Sequence, residues 1–296
     1  MYCGGQGVYI YNLSKALAAQ GHEVHLLAGP PFPRKPDGVY MHAVDNLNLY
    51  GKRTTELARH PISTLLSPLN FMEFAASRLG VLPEMFTFSI RAFQLLKKLL
   101  KRYSFHVIHD NQSLGYGLLL IKELGVPLVA TIHHPLPIDR EEHLCQAVGF
   151  KEKFKRTVYY PVMMQYIVSR YVDRVIAVSH SSAERIAKVF RVSPHRIRVV
   201  YNGVDTVKFS PSPACGGAAD VDKDKRLIFV GNTGDRKKGF VYLLEAMHMM
   251  GDDIRLTVVN GADRRPYVTR KLVARFGLRN RIDFLSGISE ERLVEE

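Results

Sequence analysis

Two histidines, His133 and His134, stand side by side in the stretch Ala-Thr-Ile-His-His-Pro, directly after a short apolar run. Asp110 closes an earlier run, His-Val-Ile-His-Asp. An imidazole and a carboxylate can take, hold or release a proton, or stabilise a charge that develops during a reaction. Each stands where a parallel strand would end, the edge at which open α/β sheets gather the groups that meet ligands. His133 and Asp110 are therefore the candidate catalytic residues. A histidine in such a place is also commonly a hydrogen-bonded structural residue, and the residues alone leave both readings open. A metal held by His133, His134 and Asp139 is disfavoured, because adjacent residues of an extended strand point to opposite faces.

Two further stretches suit an anion. Gly-Gly-Gln-Gly at residues 4–7 runs into an amphipathic helical pattern. Small residues there let the backbone approach a phosphate with the helix dipole behind it. A plain glycine turn would look the same. The second stretch, Gly-Asn-Thr-Gly-Asp-Arg-Lys-Lys-Gly at residues 231–239, follows the strand pattern Arg-Leu-Ile-Phe-Val and opens the next helix. Lysine and arginine are electrostatically disfavoured at a helix N-terminus unless an anion offsets them. Arg236, Lys237 and Lys238 stand there, and a diphosphate would offset them; a solvated basic turn neutralised by Asp235 is the plainer reading. Asp-Val-Asp-Lys-Asp at residues 220–224 lies before a strand rather than after one, and is read as a solvated acidic loop.

The elements that would position these residues alternate. Strand patterns occur at residues 22–28, 39–44, 106–110, 128–133, 174–179 and 197–202, and again at 226–231, 254–259 and 282–287. Helical patterns lie between most of them, giving the rhythm of a parallel, doubly wound sheet. A largely helical insertion from about Lys52 to Tyr103, with Pro61, Pro68 and Pro83, breaks that rhythm. Two domains are expected, 1–208 and 226–296, joined by an aperiodic linker at 209–225 rich in Pro, Gly, Ala and Asp. No strand pattern precedes the glycine cluster, and the second series stops after three strands, so the first domain is expected to lack its first strand and the second to be incomplete.

At 296 residues, two domains with sizeable cores are reasonable, and no apolar run approaches the roughly 20 residues of a membrane span. Cys3, Cys145 and Cys215 are too scattered for a disulfide framework or a cysteine-based zinc site, which fits a reducing, cytoplasmic setting. The net charge is +13, and most of it falls on residues 1–206, where Lys and Arg outnumber Asp and Glu 25 to 15. Such a field attracts nucleotides or acidic membranes. No nucleic-acid-binding motif accompanies it. In Lys-Lys-Leu-Leu-Lys-Arg, Leu95, Leu96, Leu99 and Leu100 share one helix face and Lys97, Lys98, Lys101 and Arg102 the other, the pattern of a core-packed surface helix or of one docked on a membrane.

The order of these motifs, with Asn202, Gly203, Val204 and Asp205 followed by Phe209 and Pro211, resembles the family 4 glycosyltransferases of the two-domain GT-B fold over nearly the whole chain. The resemblance implies transfer of a sugar, with retained anomeric configuration, from a nucleotide-diphosphate sugar to an acceptor. The donor would rest mainly on the C-terminal domain and the acceptor mainly on the N-terminal one. It implies that Gly5 and Gly7 meet phosphate, that His133 lies near the donor sugar and that Lys238 contacts the diphosphate. It implies no cofactor and no metal, since cationic side chains and helix N-termini can stabilise the leaving phosphate. Asn232 stands where the family usually has arginine, and Arg236 would supply that charge. The family's first strand and its Glu-x7-Glu pair are not matched, so the sequence is expected to be a fragment cut at both ends and inactive alone. An acceptor carried at the inner face of an anionic membrane fits the basic half. A non-transferase Rossmann nucleotide-binding protein, such as an oxidoreductase, is the alternative. The strand pattern at 22–28, second in order once the unmatched first strand is counted, weakens it, since it ends Leu-Leu-Ala-Gly-Pro-Pro with no acid for an adenosine ribose.

Overall fold

The computed structural model describes residues 4–47, 67–78, 83–145, 147, 149–150, 153–154, 157, 161–210, 225–260 and 267–296. The chain divides into two compact units, Met1–Asn202 and Gly203–Glu296. The division falls inside the Asn-Gly-Val-Asp motif, ahead of the boundary at 208 read from the sequence. Most of the expected linker, residues 211–224, lies outside the described residues, and the Asp-Val-Asp-Lys-Asp stretch with it.

The first unit opens with α1 (Gly4–Ala19), β1 (Val24–Ala28) and β2 (Val39–Ala43). After α2 (Pro68–Arg78) and α3 (Glu84–Leu99) come β3 (Ile108–Asn111), α4 (Gly117–Lys122), β4 (Leu128–Ile132), α5 (Leu136–Cys145), α6 (Val162–Tyr171), β5 (Arg174–Ala177), α7 (His180–Phe190) and β6 (Ile197–Val199). Strands β1 and β2 pair in parallel as one sheet, and β3-β4-β5-β6 form a second, all-parallel sheet. Strand β4 is its centre. Ala130, Thr131 and Ile132 are buried in succession, so both faces of the strand are covered, which is why its sequence is a continuous apolar run rather than an alternating one. Leu128, Ala130 and Ile132 pack with Val175, Ala177, Ile186 and Phe190 in the main core.

Helices in this sheet are delimited by local chemistry. Ser179 caps α7 by accepting from the Ser182 N–H at 3.0 Å, and Arg191 closes it in the left-handed conformation. Helix α4 crosses α3 at very close range: a Cβ added at Gly117 would stand 2.3 Å from the Ser89 backbone, and the Gly117 N–H donates to Ser89 Oγ at 3.0 Å. The expected insertion contains α2 and α3, while residues 48–66 and 79–82, including Pro61, are outside the described residues. Its polar heart is Glu73, 1% exposed, which accepts from Thr87 Oγ1, from Arg91 Nη1 and from the Leu47 N–H at 3.1 Å. On α3, Leu96 and Leu99 face the core while Lys97 and Lys98 are exposed.

The second unit contains β7 (Arg226–Val230), α8 (Phe240–Met249), β8 (Arg255–Asn260), α9 (Tyr267–Arg275), β9 (Ile282–Ser286) and α10 (Glu290–Glu295). Its sheet is parallel in the order β7-β8-β9. Leu256 and Val258 of the middle strand are fully buried with Phe240, Leu244 and Met247 of α8. Both units are thus parallel α/β layers. Strand β7 lies at the edge of its sheet, with Ile228 and Val230 exposed.

Candidate functional site

The C-terminal ends of β3 and β4 bring the sequence candidates together with two residues that the sequence reading passed over. Registration sets Asp110 beside Ala130 and Asn111 beside Thr131, so the segments that leave these two strands emerge side by side. His133, the first residue beyond β4, places Nε2 2.9 Å from Asn111 Oδ1. The Tyr9 ring, from α1, and the His133 imidazole form a T-shaped pair with centroids 4.6 Å apart and an interplanar angle of 83°. Burial draws the basicity of His133 below the ordinary histidine value, because a charged imidazolium would lose hydration there. Beneath it, His109 Nε2 and Thr131 Oγ1 hydrogen-bond at 2.7 Å, and Tyr9 Oη lies 3.4 Å from the same Thr131 oxygen.

Gln112 anchors the backbone that carries the histidines. It is 5% exposed and has a left-handed backbone with φ 58°, uncommon for a non-glycine residue. Its Oε1 accepts the N–H groups of His133 at 2.6 Å and His134 at 3.2 Å, while Nε2 donates to the His134 carbonyl at 2.5 Å. Neither Asn111 nor Gln112 was singled out from the sequence. The available signal was the unbroken polar run Asp-Asn-Gln ending a strand, where an ordinary buried strand would turn out through glycine or proline.

Asp110 has a different place from the one expected of a catalytic acid. It is 8% exposed, and its two carboxylate oxygens are taken by Ser113 Oγ and by the Leu114 N–H at 3.1 Å. It thereby closes the turn in which Gln112 and Leu114 both have positive φ. Burial raises its pKa above the usual aspartate value, and the hydrogen bonds from Ser113 and Leu114 oppose that shift. His134 turns from His133 to Asp139, with Nε2 and Oδ1 3.3 Å apart. Among the described residues, no cluster of three or more His, Cys, Asp or Glu could hold a metal.

The glycine cluster is not a loop in the structure. Residues 4–7 form the first turn of α1. Three glycines in four positions argue against helix by propensity, and the N–H groups of a first turn have no intrahelical acceptor. Gly5 is exposed, and a Cβ added to it would meet nothing within 4 Å. The turn is tied to the β3 end by Asn111 Nδ2, which donates to the Gln6 carbonyl at 3.2 Å.

In the second unit, β7 leads through Gly231 into a short 3-10 turn, Arg236–Lys238, and then into α8, with Gly239 left-handed at the junction. Asn232 Oδ1 accepts the Gly234 N–H at 2.9 Å, and Asp235 Oδ1 accepts the Lys237 N–H at 3.0 Å. These two short side chains shape the turn itself. Lys238 is exposed, with its stem near Gly231 and no ion pair among the described residues. The side chain of Arg236 is outside the described ones.

Comparison with known proteins gives the family and the fold. The profile described as Glycosyltransferase Family 4 matches residues 3–208. The MMP alpha-(1->4)-mannosyltransferase of Mycolicibacterium hassiacum is 35% identical over 99% of this chain and 69% of its own length. Among solved structures, a sucrose-phosphate synthase from Thermosynechococcus elongatus superposes with TM-score 0.64 at 19% identity, over 98% of this chain and 67% of that one. Anabaena Alr3699/HepE, solved in complex with UDP-glucose, superposes with TM-score 0.59 at 16% identity, over 98% and 68%. These structural likenesses carry the GT-B fold.

Proposed function

The chain belongs to glycosyltransferase family 4, as a hexosyl-transferring enzyme, and from that premise we propose that it moves a sugar, with retained anomeric configuration and without a metal, from a nucleoside-diphosphate sugar to an acceptor hydroxyl. In this reaction the bond from the anomeric carbon to the diphosphate breaks, and the acceptor oxygen bonds to the same carbon. The products are the glycoside, the nucleoside diphosphate and a proton. The observation that carries the reading is the convergence of the α1 first turn, whose amides have no intrahelical acceptor, and His133 on the single side chain of Asn111. A helix N-terminus stabilises phosphate negative charge, and a neutral imidazole beside it suits an uncharged sugar better than a second anion. The UDP-glucose bound by the Anabaena neighbour supports this donor class.

In the second unit, Lys238 is the cation assigned to the diphosphate, together with Arg236. The charge they supply, with that of helix N-termini, does for the leaving group what a divalent ion does elsewhere. Asp110 is assigned a structural role rather than a catalytic one, since both its oxygens are engaged within the turn.

We further propose that the first unit meets an anionic membrane face. Phe150 and Phe154, 83% and 62% exposed, lie with ring centroids 6.5 Å apart on a lysine-rich segment of the basic half. No helix among the described residues is long and apolar enough to cross a membrane.

The proposed activity is tested by incubating the protein of the full reading frame with a panel of nucleotide sugars, including mannosyl and glucosyl donors, and a set of hydroxyl acceptors in the presence of EDTA. Nucleoside diphosphate is expected to be released in step with glycoside formation and at the same rate without the chelator. Release only with added divalent metal would overturn metal independence. Turnover of none of the donors would overturn the donor class.

A further inference from the structure

We infer that Asn111 is a positioning residue: its amide, oriented by the Gln6 carbonyl, fixes His133 in the tautomer that carries its proton on Nε2 and leaves Nδ1 as a bare acceptor for a sugar hydroxyl. The inference deepens the transferase reading and rests on it for the identity of that hydroxyl. The tautomer itself follows from hydrogen-bond logic alone.

A carbonyl oxygen only accepts, so the Asn111 atom 3.2 Å from the Gln6 oxygen has to be the amide nitrogen. The flipped amide would set two acceptors against each other. With Nδ2 committed to Gln6, Oδ1 is the atom 2.9 Å from His133 Nε2. Oδ1 also only accepts, so Nε2 has to bring the hydrogen. In a neutral imidazole one ring nitrogen donates and the other accepts, and Nδ1 is then the acceptor. Nδ1 has no hydrogen-bond partner among the described residues. Burial keeps the ring neutral by disfavouring the imidazolium.

The ring is fixed by more than one contact. Its peptide N–H is bound by Gln112 Oε1 at 2.6 Å, and its ring packs T-shaped with Tyr9. Adjacent residues of a strand would point to opposite faces. The left-handed backbone at Gln112 interrupts that alternation, so the neighbouring amides of Asn111 and Gln112 both address the segment after β4. One amide holds the ring tip and the other holds its backbone. A lone acceptor placed in this way takes an O–H and repels a phosphate oxygen. His133 therefore reads the sugar portion of a donor, while the α1 turn is left for phosphate.

The test is a long-range proton–nitrogen NMR correlation on 15N-labelled full-length protein at pH 7.5, with His133 assigned from its disappearance in His133→Gln. The expected spectrum shows a protonated Nε2 and an unprotonated Nδ1. Asn111→Asp keeps an acceptor facing Nε2 and is expected to retain this pattern. Asn111→Ala removes it and is expected to mix the two tautomers and to lower kcat at least ten-fold. A proton on Nδ1 in the unaltered protein overturns the inference, and so does an unchanged His133 pattern in folded Asn111→Ala. Since the unaltered protein answers the first point, a misfolded variant does not rescue the idea. The spectrum needs no donor, so the expected tautomer in a protein that turns over no nucleotide sugar would sink the transferase reading and leave the Asn111 assignment standing.

Discussion

At the scale of single residues, the structure shows which hydrogen bonds each candidate side chain makes, and the sequence does not. His133 could be picked out because an imidazole at a strand end is chemically conspicuous. Asp110 looked equally conspicuous, yet its carboxylate is spent on Ser113 and Leu114 to hold a turn with two positive φ angles. No spacing rule shows that an acid points back into its own loop. Asn111 and Gln112 escaped notice because amides have no titration and no motif, although the arrangement of His133 depends on both. The candidate phosphate contacts can be separated from structural ones by calorimetry. Gly5→Ala should leave the fold as stable or raise it by about 0.5–1 kcal/mol, since alanine is the better helix former and its methyl has open space. The same methyl, standing at the first turn of α1, should weaken nucleotide-sugar binding. Lys238→Ala should weaken nucleoside-diphosphate binding by about ten-fold, the loss of one charge-assisted hydrogen bond at an exposed site. Unchanged affinity in both variants would remove these residues from the binding site.

At the scale of elements, the alternation of strands and helices was legible because buried parallel strands and amphipathic helices impose different periods. Strand partners were not. Periodicity could not say that β1 and β2 pair apart from the β3-β4-β5-β6 sheet, since that depends on neighbours distant in sequence. Nor did the glycines of the Gly-Tyr-Gly stretch announce the close approach of α4 to α3, which only the packing of Ser89 against Gly115 and Gly117 reveals. The insertion shows the same limit. Its helices were expected, but the carboxylate that locks them was invisible, because Glu73 in sequence resembles any surface glutamate. In the structure it is the shared acceptor for Thr87, Arg91 and Leu47. Glu73→Ala strands the largely buried Arg91 guanidinium and should cost about 3–5 kcal/mol, read as a lowered urea midpoint. Glu73→Gln retains an acceptor and should cost less. A midpoint unchanged by Glu73→Ala would mean that α2 and α3 are held by apolar contact alone.

At the scale of the whole molecule, each unit has a parallel sheet, and the basic excess is concentrated in the first. Composition alone identified the excess without naming its partner. The exposed Phe150 and Phe154 favour an anionic surface over a dissolved polyanion, because apolar rings gain from entering an interface and gain little beside a soluble phosphate. Flotation should show the protein rising with phosphatidylglycerol-containing vesicles, less with neutral ones, and less again at high salt as the field is screened. Equal, negligible flotation with both would reject the membrane proposal without touching the chemistry. That chemistry depends most on the fate of the anomeric carbon. Proton NMR of the glycoside formed from an α-linked nucleotide sugar tests it directly: the account predicts an α-linked product, formed equally well with EDTA present, and a β-linked product would contradict it.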